Sequence, residues 1–174
     1  MTSTLTRPLL MLSLLLCGAL FGFFYAWVCS TMWGLDQADP RVAISAMQAM
    51  NASVRNAVFA PAFFGTPVAL AITTLCLFSS AQRTAAYWTL ATTLLVVFPG
   101  VLLTMAVNVP MNEALGALSV PEDIEDARRI WQEYSADWQF WNQARTVATG
   151  LGLLCLGMAF LAEKKVSSYS AASG

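Results

Sequence analysis

Residues 8–29 read PLLMLSLLLCGALFGFFYAWVC, an apolar run that carries no charge. At ~1.5 Å of rise per residue, a helix of this length crosses the ~30 Å hydrocarbon layer of a bilayer. The same reading extends outward to three further stretches, Val58–Ser79, Ala86–Val107 and Thr146–Ala162. The ionisable residues fall mainly between these runs. The pattern predicts an all-α membrane protein, a four-helix transmembrane bundle with helical outer segments.

Composition agrees. The chain has 174 residues, 57% hydrophobic and 11% charged. Four helices buried on all sides would leave a soluble domain of this size too little polar surface to cover them. A net charge of −1 offers no basic face for nucleic acid. There is no histidine, and Cys17, Cys29, Cys76 and Cys155 form no C-x-x-C pair. A thiol redox motif and a zinc site are therefore poorly supported, and no metal or other cofactor is expected. Residues 1–165 are expected to form one domain, with 166–174 a disordered Ser/Ala-rich tail.

Arg7 precedes the first run, as in a signal peptide. The run exceeds the ~7–15 apolar residues of a signal core, and no A-x-A site follows, so a retained helix is expected. Arg7, Arg83 in the short loop Ser79–Ala85, and Lys164 and Lys165 fall on one side of an even number of spans. The longer segments Ser30–Ala57 and Pro110–Asn142 hold every acidic residue except Glu163, together with Arg41, Arg55, Arg128 and Arg129. Basic density is higher in the short loops, which places both termini in the cytoplasm, with the bacterial inner membrane as the expected location.

Local signals mark the elements. Gly18-x-x-x-Gly22 is a small-residue face suited to close helix approach. Asp39-Pro40 reads as an N-cap followed by proline at the first helical position, starting a helix that runs to about Asn56. Ala43, Met47, Met50 and Val54 form its apolar stripe, and Asn51 points either inward or to solvent. Pro61, Pro67 and Pro99 each remove a backbone bond and are expected to kink their spans. Pro110, flanked by Asn108 and Asn112, reads as the end of the third. Ser119-Val120-Pro121-Glu122 resembles a capping box. The rhythm Ile124, Ala127, Trp131, Tyr134, Trp138, Trp141, Arg145 then predicts one helix running straight into the fourth span.

On this plan several side chains meet at one membrane face. Tyr25 and Trp27 come from the first span, Asn108 and Asn112 from the third, and Trp138, Trp141, Asn142 and Arg145 from the fourth. Met47, Met50 and Asn51 cap them. Aromatic walls, amides and one cation suit a flat, apolar, weakly acidic molecule, with Arg145 facing a phenolate, enolate or carboxylate. Each residue alone has a plainer explanation. Boundary tryptophans anchor helices, as Trp27 does on this reading, and terminal arginines snorkel to headgroups. Four aromatics on one stripe exceed what an anchor needs, although packing against Met47 and Met50 explains the stripe equally well. An inward-facing arginine needs a partner, and Asn108, Asn112 and Asn142 are expected to join it in one hydrogen-bonded cluster.

The pieces Tyr25-Ala26-Trp27, Thr31-Met32-x-Gly34-Leu35, Ala46–Asn51, Asn108-Val109-Pro110-Met111-Asn112 and Trp131-x-x-Tyr134-x-x-x-Trp138-x-x-Trp141-Asn142-x-x-Arg145 resemble the anthrone oxygenase-like (DUF1772) family of small four-span membrane proteins. The resemblance covers about Pro8–Glu163. It implies the fold and membrane placement. It also implies a cofactor-independent oxidation of anthrones to anthraquinones, the activity linked to some members. Substrate-binding residues would be Tyr25, Asn51, Asn108, Asn112, Trp138, Trp141, Asn142 and Arg145. Tyr25, Tyr134, Glu113 and Asp137 are the residues available as a base, and none carries a signature marking it. A non-catalytic membrane protein that binds a ligand or a partner is the alternative.

Overall fold

The computed structural model describes residues 5–163. Lys164, Lys165 and the tail 166–174 lie outside the described residues. Four helices are long and apolar enough to cross a membrane: Thr6–Gln37, Phe59–Ser79, Arg83–Gly116 and Ile124–Ala162. They match the four predicted spans, the second beginning one residue later at Phe59, and the first, third and fourth run well beyond them.

The first consists of α1 (Thr6–Ala26), a π-helical stretch at Trp27–Thr31, and α2 (Met32–Gln37). A separate helix, α3 (Pro40–Ser53), follows, capped as expected by Asp39, whose carboxylate accepts the Arg41 N–H at 2.9 Å. The Arg41 guanidinium also hydrogen-bonds this carboxylate and holds it down to about 2. Next come α4 (Phe59–Ser79) and α5 (Arg83–Leu95), joined by a tight turn in which Ala81 takes a left-handed φ of 57°. The third long helix continues from α5 through π-helical Val96–Leu102 and Thr104–Asn108 into α6 (Val109–Gly116). Finally α7 (Ile124–Ala162) runs unbroken for 39 residues. That is about 58 Å, roughly twice the hydrocarbon thickness.

The long helices pack as a ring, α1 on α4, α4 on α5, α5 on α7 and α7 back on α1. Leu20, Phe24, Phe63, Leu70, Leu77 and Leu156 fill the centre of the ring. Apolar packing drives association weakly inside lipid, so hydroxyl bonds add to it. Ser13 and Thr73 bond at 2.9 Å between α1 and α4, and Thr92 donates to the Gly152 carbonyl at 2.9 Å between α5 and α7. A second core lies beyond the ring, where Met32, Ala43, Ile44 and Met47 pack on Trp131, Tyr134 and Trp138 of α7. Asp36 clamps this layer, accepting from Trp131 Nε1 at 3.0 Å, Ser135 Oγ at 2.7 Å and Gln139 Nε2 at 2.9 Å.

Several local expectations are corrected. Pro61 sits in the first turn of α4, where no N–H is needed for the ladder, so it removes no intrahelical bond. Pro110 does not end the third span. The preceding π-helical stretch hands over at Val109, whose N–H bonds the Thr104 carbonyl, and proline then falls in the opening turn of α6. The start of α7 is capped by Asp123, which accepts from the N–H groups of Glu125 and Asp126, and not by the Ser119–Glu122 box. A Cβ added at Gly18 or Gly22 would meet nothing within 4 Å, so that face makes no close approach among the described residues. Close approach occurs instead at Gly150, where an added Cβ would lie 3.0 Å from the Phe21 ring.

Candidate functional site

A cavity of about 620 Å³ opens at the level where the ring meets the outer layer. That volume falls within the ~300–1,000 Å³ of small-molecule sites. Phe24 and Trp27 enter it from the first long helix, Met50 and Asn51 from α3, and Phe59, Phe63 and Phe64 from α4. Thr104, Asn108, Asn112 and Glu113 come from the third long helix, and Trp138, Asn142 and Arg145 from α7. Helical spacing explains the last two groups. Thr104, Asn108 and Asn112 recur every four residues, and Trp138, Asn142 and Arg145 follow at four and three, so each set shares a face.

Arg145 is only 3% exposed. Its Nη1 donates to Thr104 Oγ1 at 2.9 Å and its Nη2 to Asn142 Oδ1 at 3.0 Å, while Nε has no partner. The guanidinium carbon lies 4.6 Å from the centre of the Phe24 ring and 5.5 Å from that of Trp138. Among the described residues no carboxylate pairs with it. Glu113 binds Arg55 at 2.9 Å, and Asp137 makes no ion pair with Arg145. Burying a lone cation costs several kcal/mol even after relaxation. Two neutral acceptors, at ~1.5–3 kcal/mol each, and two ring faces, at ~0.5–2 kcal/mol each, offset that cost without supplying a counter-charge.

The expected single cluster is two networks. The first joins Arg145, Thr104 and Asn142, with Asn142 Nδ2 donating to the Phe24 carbonyl at 3.1 Å. In the second, Asn112 Oδ1 accepts from Tyr134 at 2.8 Å and from Trp138 Nε1 at 2.9 Å, and Asn51 donates to the Tyr134 hydroxyl at 3.4 Å. Asn108 belongs to neither. It is 1% exposed, and neither its Nδ2 nor its Oδ1 has a partner. Tyr134 and Trp138 already saturate the Asn112 oxygen, and each helix fixes the direction of its own amide, so the groups do not converge on one point.

Of the eight residues selected from sequence, the cavity gathers Asn51, Asn108, Asn112, Trp138, Asn142 and Arg145. Tyr25 is 49% exposed and stacks on Phe21, away from the cavity. Trp141 packs edge-on against Phe140, because one residue of helical rotation turns it off the face that Asn142 occupies. Trp27, read as a boundary anchor, is an inner wall, with its ring 5.0 Å from that of Trp138. Sequence reading also missed Thr104 and Phe24. The four-residue spacing of Thr104 from Asn108 was a usable signal, whereas nothing distinguished Phe24 among its aromatic neighbours. Of the four residues available as a base, only Glu113 lines the cavity. Among the described residues, no three His, Cys, Asp or Glu side chains come together as a metal-binding group.

The family model described as anthrone oxygenase matches residues 55–155. The chain belongs to the anthrone oxygenase family. No curated protein and no solved structure matches it. The matched range of this family member takes in α4, the third long helix and most of α7, and with them Thr104, Asn108, Asn112, Trp138, Asn142 and Arg145. Phe24, Trp27 and Asn51 lie before it and complete the cavity from the N-terminal part of the chain.

Proposed function

We propose that this protein binds a flat, apolar, weakly acidic aromatic molecule in the membrane-level cavity and oxidises an anthrone-like methylene to a carbonyl with dioxygen. The observation that carries the reading is Arg145, a buried guanidinium on the wall of an aromatic cavity that no carboxylate pairs with among the described residues. Such a group stabilises negative charge that develops on a substrate oxygen, and does so more strongly than it would in water.

The chemistry balances without a cofactor. The methylene proton leaves to Glu113 or to water at the mouth, and the charge spreads over the rings onto the carbonyl oxygen beside Arg145. The carbanion gives its electrons to dioxygen, a C–O bond forms, and the peroxide takes up a proton. Loss of water then leaves the carbonyl, so the CH₂ and O₂ become C=O and H₂O. Phe24, Trp27, Trp138 and the α4 phenylalanines hold the rings, and Asn108 reads an oxygen substituent. Orientation with both termini in the cytoplasm is part of the same proposal, and it puts the cavity at the outer face.

The test is oxygen uptake and quinone absorbance on adding an anthrone to the purified protein, beside Arg145→Gln. A rate above the spontaneous background that Arg145→Gln loses supports the reading, and wild type at background removes it for that substrate. A second reading, binding without turnover, is favoured by the pairing of Glu113 with Arg55, which ties up the one carboxylate on the wall. Saturable quinone binding with background oxidation selects it.

A further inference from the structure

The cavity has a side as well as a mouth. The helix α4 packs against α1, α5 and the Val96–Leu102 stretch, yet it makes no close backbone approach to the Thr104–Gly116 continuation of the third long helix. The two helices part beyond the first π-helical segment, before the second begins at Thr104. Pro99 lies in the first segment, and proline and i→i+5 turns are the usual causes of a bend. Ala60 and Phe64 line the cavity on one edge of the resulting gap, and Met105 and Val109 on the other.

Exposure changes steeply across this wall. Asn108 and Arg145, at the back, are 1% and 3% exposed, whereas Phe64 and Met105, at the gap, are 55% and 48% exposed. Both of these open residues are apolar and lie within membrane spans. Phe64 is five residues along α4 from Phe59, about 7.5 Å down the helix axis. Phe64 is thus exposed on the apolar flank of a candidate membrane span, not at its polar end. On the water side the chain crosses above the gap. Arg55 and Glu113 bridge it at 2.9 Å, and Asn56 Oδ1 caps α4 by accepting the Val58 and Phe59 N–H groups at 2.8 and 3.0 Å.

We propose that ligands enter this cavity sideways from the bilayer, between α4 and the Thr104–Asn112 segment, with Ala60, Phe64 and Met105 as the gate. The inference rests on the reading of the cavity as a ligand site and narrows the ligand class to aromatic molecules that partition into membranes. A gate of this kind acts on rates. Entry and exit use the same gap, so narrowing it slows association and dissociation together and leaves the equilibrium nearly unchanged.

The experiment uses the full chain in phospholipid vesicles, with 1,8-dihydroxyanthraquinone as the probe and quenching of tryptophan fluorescence as the signal, since Trp27 and Trp138 line the cavity. Ala60→Trp is expected to slow association and dissociation each about tenfold. Leu161→Trp, lipid-exposed at the far end of α7, leaves both rates alone. Independently, a bimane label on Met105→Cys, with the four native cysteines replaced by alanine, is quenched by phospholipids brominated in the acyl chains and not by aqueous iodide. Probe binding with unchanged rates in Ala60→Trp, or quenching by iodide instead of brominated lipid, overturns the side entrance alone. If wild type neither binds the probe nor oxidises an anthrone, the ligand reading falls and the entrance falls with it.

Discussion

The guanidinium of Arg145 on α7 lies over the ring of Phe24 on α1, its carbon 4.6 Å from the ring centre. The contact is made inside the helix bundle, and among the described residues no carboxylate pairs with the guanidinium. Under the proposed function, this arginine is the group that meets negative charge on a bound oxygen, and its substitution separates a ligand role from a structural one.

Replacing Arg145 with methionine tests that cost directly. Methionine keeps much of the apolar stem and removes the desolvation cost of the buried charge, which offsets the loss of the donors to Thr104 Oγ1 and Asn142 Oδ1. Thermal unfolding in detergent is expected to show an unchanged or higher midpoint, while titration with an acidic quinone shows at least about a tenfold loss of affinity. A midpoint that drops sharply would make Arg145 a structural residue.

Asn108 is the second such test. Both ends of its buried amide lack partners. An unsatisfied buried polar group costs about 1–3 kcal/mol, so Asn108→Leu, close in volume, is expected to raise thermal stability. Loss of quinone affinity in the same variant would tie the amide to the ligand. A lower midpoint would mean that the amide is bonded within the fold.

Asn112 is predicted to behave in the opposite way. Its Oδ1 accepts from both Tyr134 and Trp138. Asn112→Leu leaves two buried donors unpaired and is expected to destabilise by about 2–5 kcal/mol. Tyr134→Phe in that background should recover part of the loss, because it deletes one stranded hydroxyl. Chemical denaturation of the two single variants and the double variant measures this coupling.

The glycines separate by position. Gly150→Ala places a Cβ 3.0 Å from the half-buried Phe21 ring, which must shift by a few tenths of an ångström, so this variant is expected to be less stable than Gly18→Ala or Gly22→Ala. Gly18→Ala and Gly22→Ala have open space around the new Cβ and are expected to be neutral or slightly stabilising. Equal losses at all three would place an unseen partner on the Gly18–Gly22 face.

Much of the architecture was legible before any coordinates. The run at Pro8–Cys29, the Asp39-Pro40 start and the uninterrupted rhythm from Ile124 are local signals, and hydropathy and capping act within a few residues of sequence. The errors fell where a local rule was right in kind and its register was set elsewhere. Pro110 reads as a breaker only if the helix before it is α-helical, and a π-helical turn shifted its place. Asp123 took the capping role from Ser119 because Pro121 delays the helix start.

The site divided along the same line. Sequence alone determined that the scarce polar groups gather at one rim, because hydrocarbon rejects an unpaired amide or cation anywhere else along these helices. It also determined that Arg145 and Asn142 share a helical face. Tertiary structure decided which amides are spent on neighbours, that Trp27 faces inward while Tyr25 and Trp141 do not, and that the third long helix leaves α4 to open a gap. Those outcomes depend on the rotation of each helix about its own axis and on where two helices part, and both are set by packing between segments far apart in the chain.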